Sequence, residues 1–568
     1  MPTPFHVLCE LLERVEATKK RLDIIEHTAR FLQTLDGDEV EPAVNLIVGR
    51  GFPRYSQKTL DVSWATLRRI LEQISDFDWQ LFRSAMAKTG DIGSATRMVL
   101  EQSRGKLQLQ LTQNPLSILE VRRTLEAIAD TKGAKSRTKK ERLITALLSQ
   151  ATPVEAKYLV KVFTGEMRTG LHEGLMEQAV DHAFGVALSR VQHAAMVIGD
   201  IGEVAAKIRA EGNESLEQAG FQVFRPVQLM LAQTADSVEQ ALELQGGTSA
   251  FEYKYDGARV QIHKRGSEVR IFSRRLTDVT ESLPEVVKVV QQNILADTAI
   301  IEGEVIAFDS AGYPIAFQHL MRRFKRTRAL KELQERIPLT LYLFDILFLN
   351  GESTIAKPSV ERRQLLAQNA GQIALSNQIV TSQPTEAQDY LKEALAAGHE
   401  GLMAKKPDSP YLPGRRGNRW LKIKPTLEPL DLVITAAEYG YGRRREWLSD
   451  YYLGALDPET GEFVNIGKTF KGLTDAELTE LTARLKEIAV NQQGHKVTVL
   501  PRIVVEVAYN EIQQSPKYPS QMALRFARIT RIRDDKSPEE ASRIGQVKAI
   551  YERQFKTKGK FIHGAEGK

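Results

Sequence analysis

Lys254 stands in Glu252-Tyr253-Lys254-Tyr255-Asp256-Gly257-Ala258-Arg259, between two aromatic residues, just before an Asp-Gly turn and with an arginine within reach. Partial desolvation and a nearby cation both disfavour the ammonium form, which is how a lysine becomes a nucleophile beside a phosphate. Alone, the stretch equally describes an exposed lysine in a hairpin, because Asp-Gly is a common turn pair. Its weight depends on residues further along the chain. Trp420-Leu421-Lys422-Ile423-Lys424 sets two lysines two residues apart, and on a strand such residues share a face and can enter one site. Basic runs recur at Arg322-Arg323, Arg415-Arg416 and Arg443-Arg444-Arg445. They suit a polyanionic partner, although a solvated surface explains any single run.

These residues need elements to hold them, and the chain changes texture before reaching Lys254. In the first part, Phe5, Leu8, Leu11, Leu12 and Val15 fall on one face at helical spacing. Asn114-Pro115 reads as a capped start to a helix with Ile118, Leu119, Leu125 and Ile128 on one stripe. Val154, Tyr158, Leu159 and Val162 continue the pattern, Gly165 and Gly170 interrupt it, and Leu175 to Phe184 resumes it. No sustained strand is expected before about residue 215. Beyond Phe221 short β-rich runs alternate with helical stretches. The runs are Val260 to His263, Val269 to Phe272, Ile300-Ile301 and Leu339 to Phe344, and the stretches include Leu330 to Arg336 and Ala387 to Ala397. That alternation predicts an α+β unit on antiparallel sheet. Pro425 and Pro429 mark a linker. Leu432 to Ile434, Tyr452 to Leu456, Val464 to Ile466 and Ile503 to Tyr509 then predict a small barrel, closed by a helix over Ala541 to Phe555.

At 568 residues the chain is too long for one core. A net charge of +6 is compatible with nucleic acid without requiring it. The single cysteine, Cys9, rules out an intrachain disulfide and any four-cysteine zinc site, fits a reducing compartment, and reads as a helix core residue. Charges interrupt every apolar run before it could span a bilayer, and Met1 to His6 lacks the layout of a signal peptide, so a cytoplasmic, nucleoid-associated protein is expected.

The ordered series of motifs resembles the ATP-dependent DNA ligases, in particular the larger type shared by archaea and the eukaryotic replicative enzymes. The resemblance covers nearly all of the chain. It implies an all-α N-terminal DNA-binding domain over residues 1–217, an α+β nucleotidyltransferase (adenylation) domain over 218–426 and a C-terminal OB-fold β-barrel over 427–568. Glu252 to Arg259 resembles the nucleotidyl-lysine motif, with Lys254 as nucleophile, Glu252 accepting from the adenine amino group and Arg259 contacting the nucleotide. Ser273-Arg274-Arg275 is similar to the motif whose arginine, here Arg274, approaches the 5′-phosphate of the nick. Ile301 to Phe308 resembles the strand whose carboxylate, Glu304, lies near ribose and metal. Leu341 to Leu347 resembles the motif whose aromatic residue, Phe344, stacks on the purine. Glu400 to Lys405 resembles the motif that offers Glu400 to Mg²⁺, a hard cation that prefers oxygen ligands. Lys422 and Lys424 match lysines that reach the α-phosphate, and Arg416 matches a phosphate-contacting arginine. Arg525 to Lys536 is similar to the C-terminal motif in which Arg533, Asp535 and Lys536 orient the leaving pyrophosphate. Pro226 to Ala232 resembles a lead-in strand. Met167-Arg168-Thr169-Gly170-Leu171 resembles a loop whose Gly170 and Leu171 approach the DNA minor groove, where backbone contacts carry no sequence information.

The resemblance thus implies ATP and Mg²⁺ or Mn²⁺ as cofactors, and nicked duplex DNA and, at the level of the family, a sliding clamp as partners of a monomeric enzyme. It also implies a three-step cycle through lysyl-AMP, with Arg259, Lys422, Lys424 and the metal favouring a neutral Lys254. An RNA ligase or capping guanylyltransferase shares the lysine motif but does not call for the long helical region before it. The NAD-dependent bacterial ligases carry zinc-binding cysteines that this chain lacks. A clamp without activity needs positive charge but not Glu304 and Glu400.

Overall fold

A computed structural model of the chain describes residues 2–103, 115–133, 135–309, 312–315, 320, 321, 323, 324, 334, 337–424, 427–441 and 444–554. Up to residue 218 the described elements are helical. The opening helix, Phe5–Ala17, buries Phe5, Leu8, Cys9, Leu11, Leu12 and Val15, the stripe read from spacing plus the cysteine. Pro153–Thr164 begins with proline inside a Thr152/Glu155 capping box and stops at Gly165 in left-handed geometry. The helix expected after Asn114-Pro115 instead starts at Ile118, because Ser117 supplies the cap and Glu120 answers it. Asn114 itself lies outside the described residues, as does most of the helical stretch expected at Leu330 to Arg336.

Two five-stranded sheets follow. One runs β1 (Leu231–Ala235), β10 (Arg416–Ile423), β9 (Leu402–Lys405), β2 (Ser249–Tyr253), β8 (Gln378–Thr381) in spatial order. The other runs β4 (Glu268–Ser273), β3 (Ala258–Arg265), β5 (Thr298–Ala307), β6 (Leu339–Leu349), β7 (Glu352–Ser353). The second sheet is antiparallel throughout, as expected, and in the first sheet β1 alone pairs in parallel, with β10. The lead-in strand begins at Leu231 rather than Pro226, because the Val227 and Met230 N–H groups donate to side chains, Gln261 Oε1 and the Tyr411 hydroxyl, instead of to a ladder.

The last part carries β11 (Leu430–Tyr439), β12 (Leu448–Leu456), β13 (Phe463–Thr469), β14 (Ala489–Gln493), β15 (Lys496–Val499), β16 (Val504–Ala508), β17 (Glu511–Gln514), β18 (Met522–Arg525) and β19 (Arg528–Ile532). Seven of them form one antiparallel sheet and β17–β18 a separate hairpin, so this OB-type region is a sheet that does not close into a barrel among the described strands. The closing helix is Ile544–Gln554, and Phe555 lies outside the described residues. Helical region and C-terminal region each bury their own apolar cluster. Between helical region and sheets, Val197 packs with Phe221, Val227, Met230, Tyr411 and Trp420.

Candidate active site

Lys254 leaves the end of β2 and is pinned by its backbone: its N–H donates to the Gly401 carbonyl at 2.8 Å, and the Glu400 N–H donates to the Lys254 carbonyl at 2.9 Å. Gly401 has to be glycine there. Its φ is +136°, and a Cβ would lie 2.2 Å from the Ile423 carbonyl oxygen. Gly257, in the following turn, meets the second sheet as closely, since a Cβ would lie 2.7 Å from the Val305 carbonyl oxygen. Two glycines thus let the lysine turn sit between two sheets.

One carboxylate oxygen of Glu400 accepts from both lysines of the site, Lys254 Nζ at 2.5 Å and Lys424 Nζ at 2.6 Å. Burial works against the charge on Lys254, but Glu400, with Glu304 and Asp256 behind it, outweighs burial and raises its pKa. With Glu400 as its partner the charged form of Lys254 is favoured, whereas the expectation of a neutral amine rested on Arg259, Lys422, Lys424 and a bound metal. Burial likewise opposes the charge on Glu400, and the two lysines overcome it and keep the carboxyl ionised. Glu304, on β5, fares differently. Burial, with Glu400 and Asp256 nearby, pushes it up to about 8 although Lys254 and Arg259 oppose.

Lys422 and Lys424 follow the alternation expected of them. Burial and then the neighbouring lysines lower both, with Arg416 and Arg274 adding to the field on Lys422. Lys254, Lys422, Lys424, Arg274 and Arg416 therefore converge on one electropositive region. Among the described residues Lys422, Arg274 and Arg416 form no ion pair. Uncompensated cations beside a half-buried lysine describe a site for a polyanion.

The remaining predicted residues are engaged more tightly than the sequence suggested. Arg259 donates to Glu302 at 2.8 Å, to the Met230 carbonyl at 2.9 Å and to the Tyr411 hydroxyl at 3.2 Å. Its guanidinium lies 5.4 Å from the Phe344 ring and 5.2 Å from the Trp420 ring. Phe344 is half-buried and meets Trp420 edge to face. Glu252, on β2, is buried and accepts from Ser376 and Gln378 at 2.8 Å each and from Lys405 at 2.8 Å. Lys405 also lies 4.8 Å from the Phe344 ring.

Sequence reasoning missed Glu302, Lys405 and Tyr411. Glu302 was legible in principle, because it stands two residues before Glu304 and so shares its strand face. Lys405 carried a signal too, a charged residue ending the apolar strand β9. Tyr411 lies on an irregular loop and gave none.

Arg533, Asp535 and Lys536 are not brought to this cluster. Arg533 pairs with Asp535 at 2.7 Å and Asp431 at 3.0 Å, and Lys536 pairs with Asp431 at 2.6 Å. The hydrogen bond from Arg533 holds Asp535 down to about 2. In the helical region Gly170 is exposed with φ +85°, whereas the Leu171 side chain belongs to the helical core, leaving only its backbone for an outside partner.

Three family models match this chain: DNA ligase N terminus over residues 4–181, ATP dependent DNA ligase domain over 229–424 and ATP dependent DNA ligase C terminal region over 444–536. The chain belongs to the ATP-dependent DNA ligases. It is 47% identical to DNA ligase 1 of Korarchaeum cryptofilum, over 97% of this chain and 98% of that one. It is 41% identical to the DNA ligase of Thermococcus fumicolans over 97% and 99%, and 40% identical to that of Archaeoglobus fulgidus over 98% and 99%. A solved structure named Pmar-Lig_Pre shares the fold at TM-score 0.59 and 18% identity, over 93% of this chain and 99% of that one. Members of this family are enzymes that use ATP and form phosphodiester bonds, and this ligase is one of them. Among the described residues no helix is long and apolar enough to cross a membrane.

Proposed function

We propose that Lys254 carries AMP and that the chain seals nicks in duplex DNA. The observation that carries this reading is a half-buried lysine gripped by Glu400 beside Lys422, Arg274 and Arg416, cations without ion pairs among the described residues. In the first step Lys254 Nζ attacks the α-phosphorus of ATP, forming the P–N bond as the bond to pyrophosphate breaks. AMP then passes to the 5′-phosphate of the nick near Arg274, restoring the amine. The 3′-hydroxyl attacks that phosphate, AMP leaves, and the backbone closes. Lys422, Lys424 and Arg416 balance charge on the phosphate oxygens. Phe344 takes the purine face. Glu252 and Arg259 fix the pocket floor, and their engaged atoms support holding it rigid more than free reach to the base.

The donor set fits a hard divalent cation. Glu304 and Glu400 offer carboxylate oxygens, and because burial, with Glu400 and Asp256 nearby, raises the pKa of Glu304, a bound cation would offset the cost of its charge. Three or more clustered ligands are not found among the described residues, so substrate and water oxygens would complete the shell. Glu304 and Glu400 would hold Mg²⁺ or Mn²⁺, which when bound supplies positive charge to the phosphates. Once Glu400 turns from the amine, burial favours the neutral form of Lys254 against the remaining charges of Glu304 and Asp256.

We assign residues 1–217 to DNA contact, with the Gly170–Leu171 backbone at the duplex, 218–426 to adenylation and 427–568 to the OB-type domain that brings Arg533, Asp535 and Lys536 over the leaving pyrophosphate. The enzyme acts as a cytoplasmic monomer on this reading. Incubation with α-labelled ATP and Mg²⁺ gives an acid-labile adduct that Lys254→Ala abolishes. An adduct that persists in the variant, or none in the wild type with any nucleotide, removes Lys254 from this role. Nicked DNA against nicked RNA, and ATP against GTP, then separate the substrate classes.

A further inference from the structure

The turn that carries Arg274 is held from the helical region. It follows β4 and is tight: the Leu276 N–H donates to the Ser273 carbonyl and the Ser273 N–H to the Thr277 carbonyl, each at 2.8 Å. Arg274 and Arg275 stand exposed at its tip. Two backbone groups on its far side, the Leu276 carbonyl and the Asp278 N–H, are met by one side-chain amide. Gln57 Nε2 donates to the Leu276 carbonyl at 2.7 Å, and Gln57 Oε1 accepts from the Asp278 N–H at 2.8 Å. An amide offers one donor and one acceptor on the same plane, so a single side chain fixes both position and orientation of the turn.

The backbone at both ends of this contact is unusual. Gln57 has φ +56° and Leu276 φ +62°, left-handed values that non-glycine residues seldom adopt. Gln57 is also firmly mounted. Just before it, Arg54 pairs with Glu173 at 2.9 Å and Tyr55 donates to Glu203 at 2.6 Å. Arg225 pairs with the same Glu203 at 2.8 Å and stacks its guanidinium 4.1 Å from the Tyr55 ring. The segment 54–57 is therefore a post rooted in the helices whose tip grips the Arg274 turn.

We propose that Gln57 is a positioning residue for AMP transfer to the nick, acting through the Arg274 turn. The inference rests on the reading that Arg274 engages the 5′-phosphate. It predicts a defect in transfer, seen at saturating DNA, rather than weaker DNA binding. The test uses full-length enzyme already adenylylated, mixed in excess with nicked duplex, in wild type, Gln57→Ala, Arg274→Ala and the double variant. Gln57→Ala should slow transfer about fivefold at saturation with an unchanged half-saturating concentration, the scale expected when a residue acts only on alignment. The double variant should be no slower than Arg274→Ala, because two residues acting through one group are not additive. Enzyme-adenylate formed by each preparation shows that the variants are folded, and hydrogen exchange over residues 276–279 should quicken in Gln57→Ala. Wild-type transfer by Gln57→Ala, a slowing that multiplies that of Arg274→Ala, or unchanged exchange overturns the proposal. Wild-type transfer by Arg274→Ala instead overturns the reading beneath it.

Discussion

Replacing Glu400 by glutamine separates what the carboxylate does to the lysine from what it does for the reaction. One oxygen of Glu400 binds Lys254 at 2.5 Å and Lys424 at 2.6 Å. An ion pair near a protein surface, at an effective dielectric constant of about 20, is worth about 4 kcal/mol at contact distances. The Lys254 side chain keeps 22% of its exposure and shares its partner with Lys424, so solvent and competition leave roughly half, about 2 kcal/mol. Losing that much stabilisation of the ammonium raises the neutral fraction of Lys254 about thirtyfold at a pH where it is mostly charged. Glutamine has the same shape, so access to the amine is unchanged. The assay is acylation of Lys254 by a small uncharged amine reagent, without metal or nucleotide, followed by mass analysis of the Lys254 peptide. Glu400→Gln should react about thirtyfold faster than wild type, yet form no adenylate with ATP. Equal or slower acylation would refute the claim that Glu400 holds Lys254 as a cation.

Two further outcomes are expected from the same charges. Glu304→Gln should stabilise the metal-free, nucleotide-free enzyme increasingly as pH rises. The folded carboxyl titrates at about 8 against an ordinary 4.5, so the wild type loses stability across that window as an unfavourable charge forms. The gain should reach about 2 kcal/mol at its upper end after allowance for solvent screening, read as denaturant midpoints at pH 5 and pH 8.5, and a gap that shrinks with pH contradicts it. Arg533→Ala should slow adenylate formation at least about tenfold more than it slows sealing of a pre-adenylylated nick, since removing a phosphate clamp costs only the step in which pyrophosphate leaves; equal losses in both assays dismiss its assigned role.

How much of this was legible depended on whether a residue's partner was local. Helix faces such as Phe5 to Val15 were readable because their spacing reports burial directly, and Lys422 and Lys424 were readable because strand alternation fixes their common face. The motifs placed Lys254, Glu304 and Glu400 in one family reading, but not the balance of charge among them. That balance is set by which carboxylate oxygen reaches which amine across two sheets, and no periodicity encodes it. The contact with Glu400 that favours the charged form of Lys254 was therefore not legible. Tyr411 and Gln57 were unreadable for a related reason: each works through backbone or buried groups distant in sequence. The opened sheet of the last part shows the same limit, since short strands predict a β architecture and their closure depends on register.

The two sets of cations are prepared for different moments of the proposed reaction. Around Lys254, the cations Lys422, Arg274 and Arg416 stand without ion pairs among the described residues, and burial already disfavours the charge on Lys422. Such a site gains on receiving an anion, because no resident carboxylate has to be displaced from those side chains. In the C-terminal region Arg533 and Lys536 are occupied by Asp431 and Asp535. Asp535 is largely exposed, so its pair with Arg533 exchanges easily for a phosphate, whereas Asp431, which holds both Arg533 and Lys536, is more shielded. A clamp that must grip pyrophosphate and then withdraw to admit DNA needs that reversibility; permanently bare cations would hold the product. In the proposed reaction the carboxylate partners of Arg533 would serve the release step, and the cations beside Lys254 the binding step.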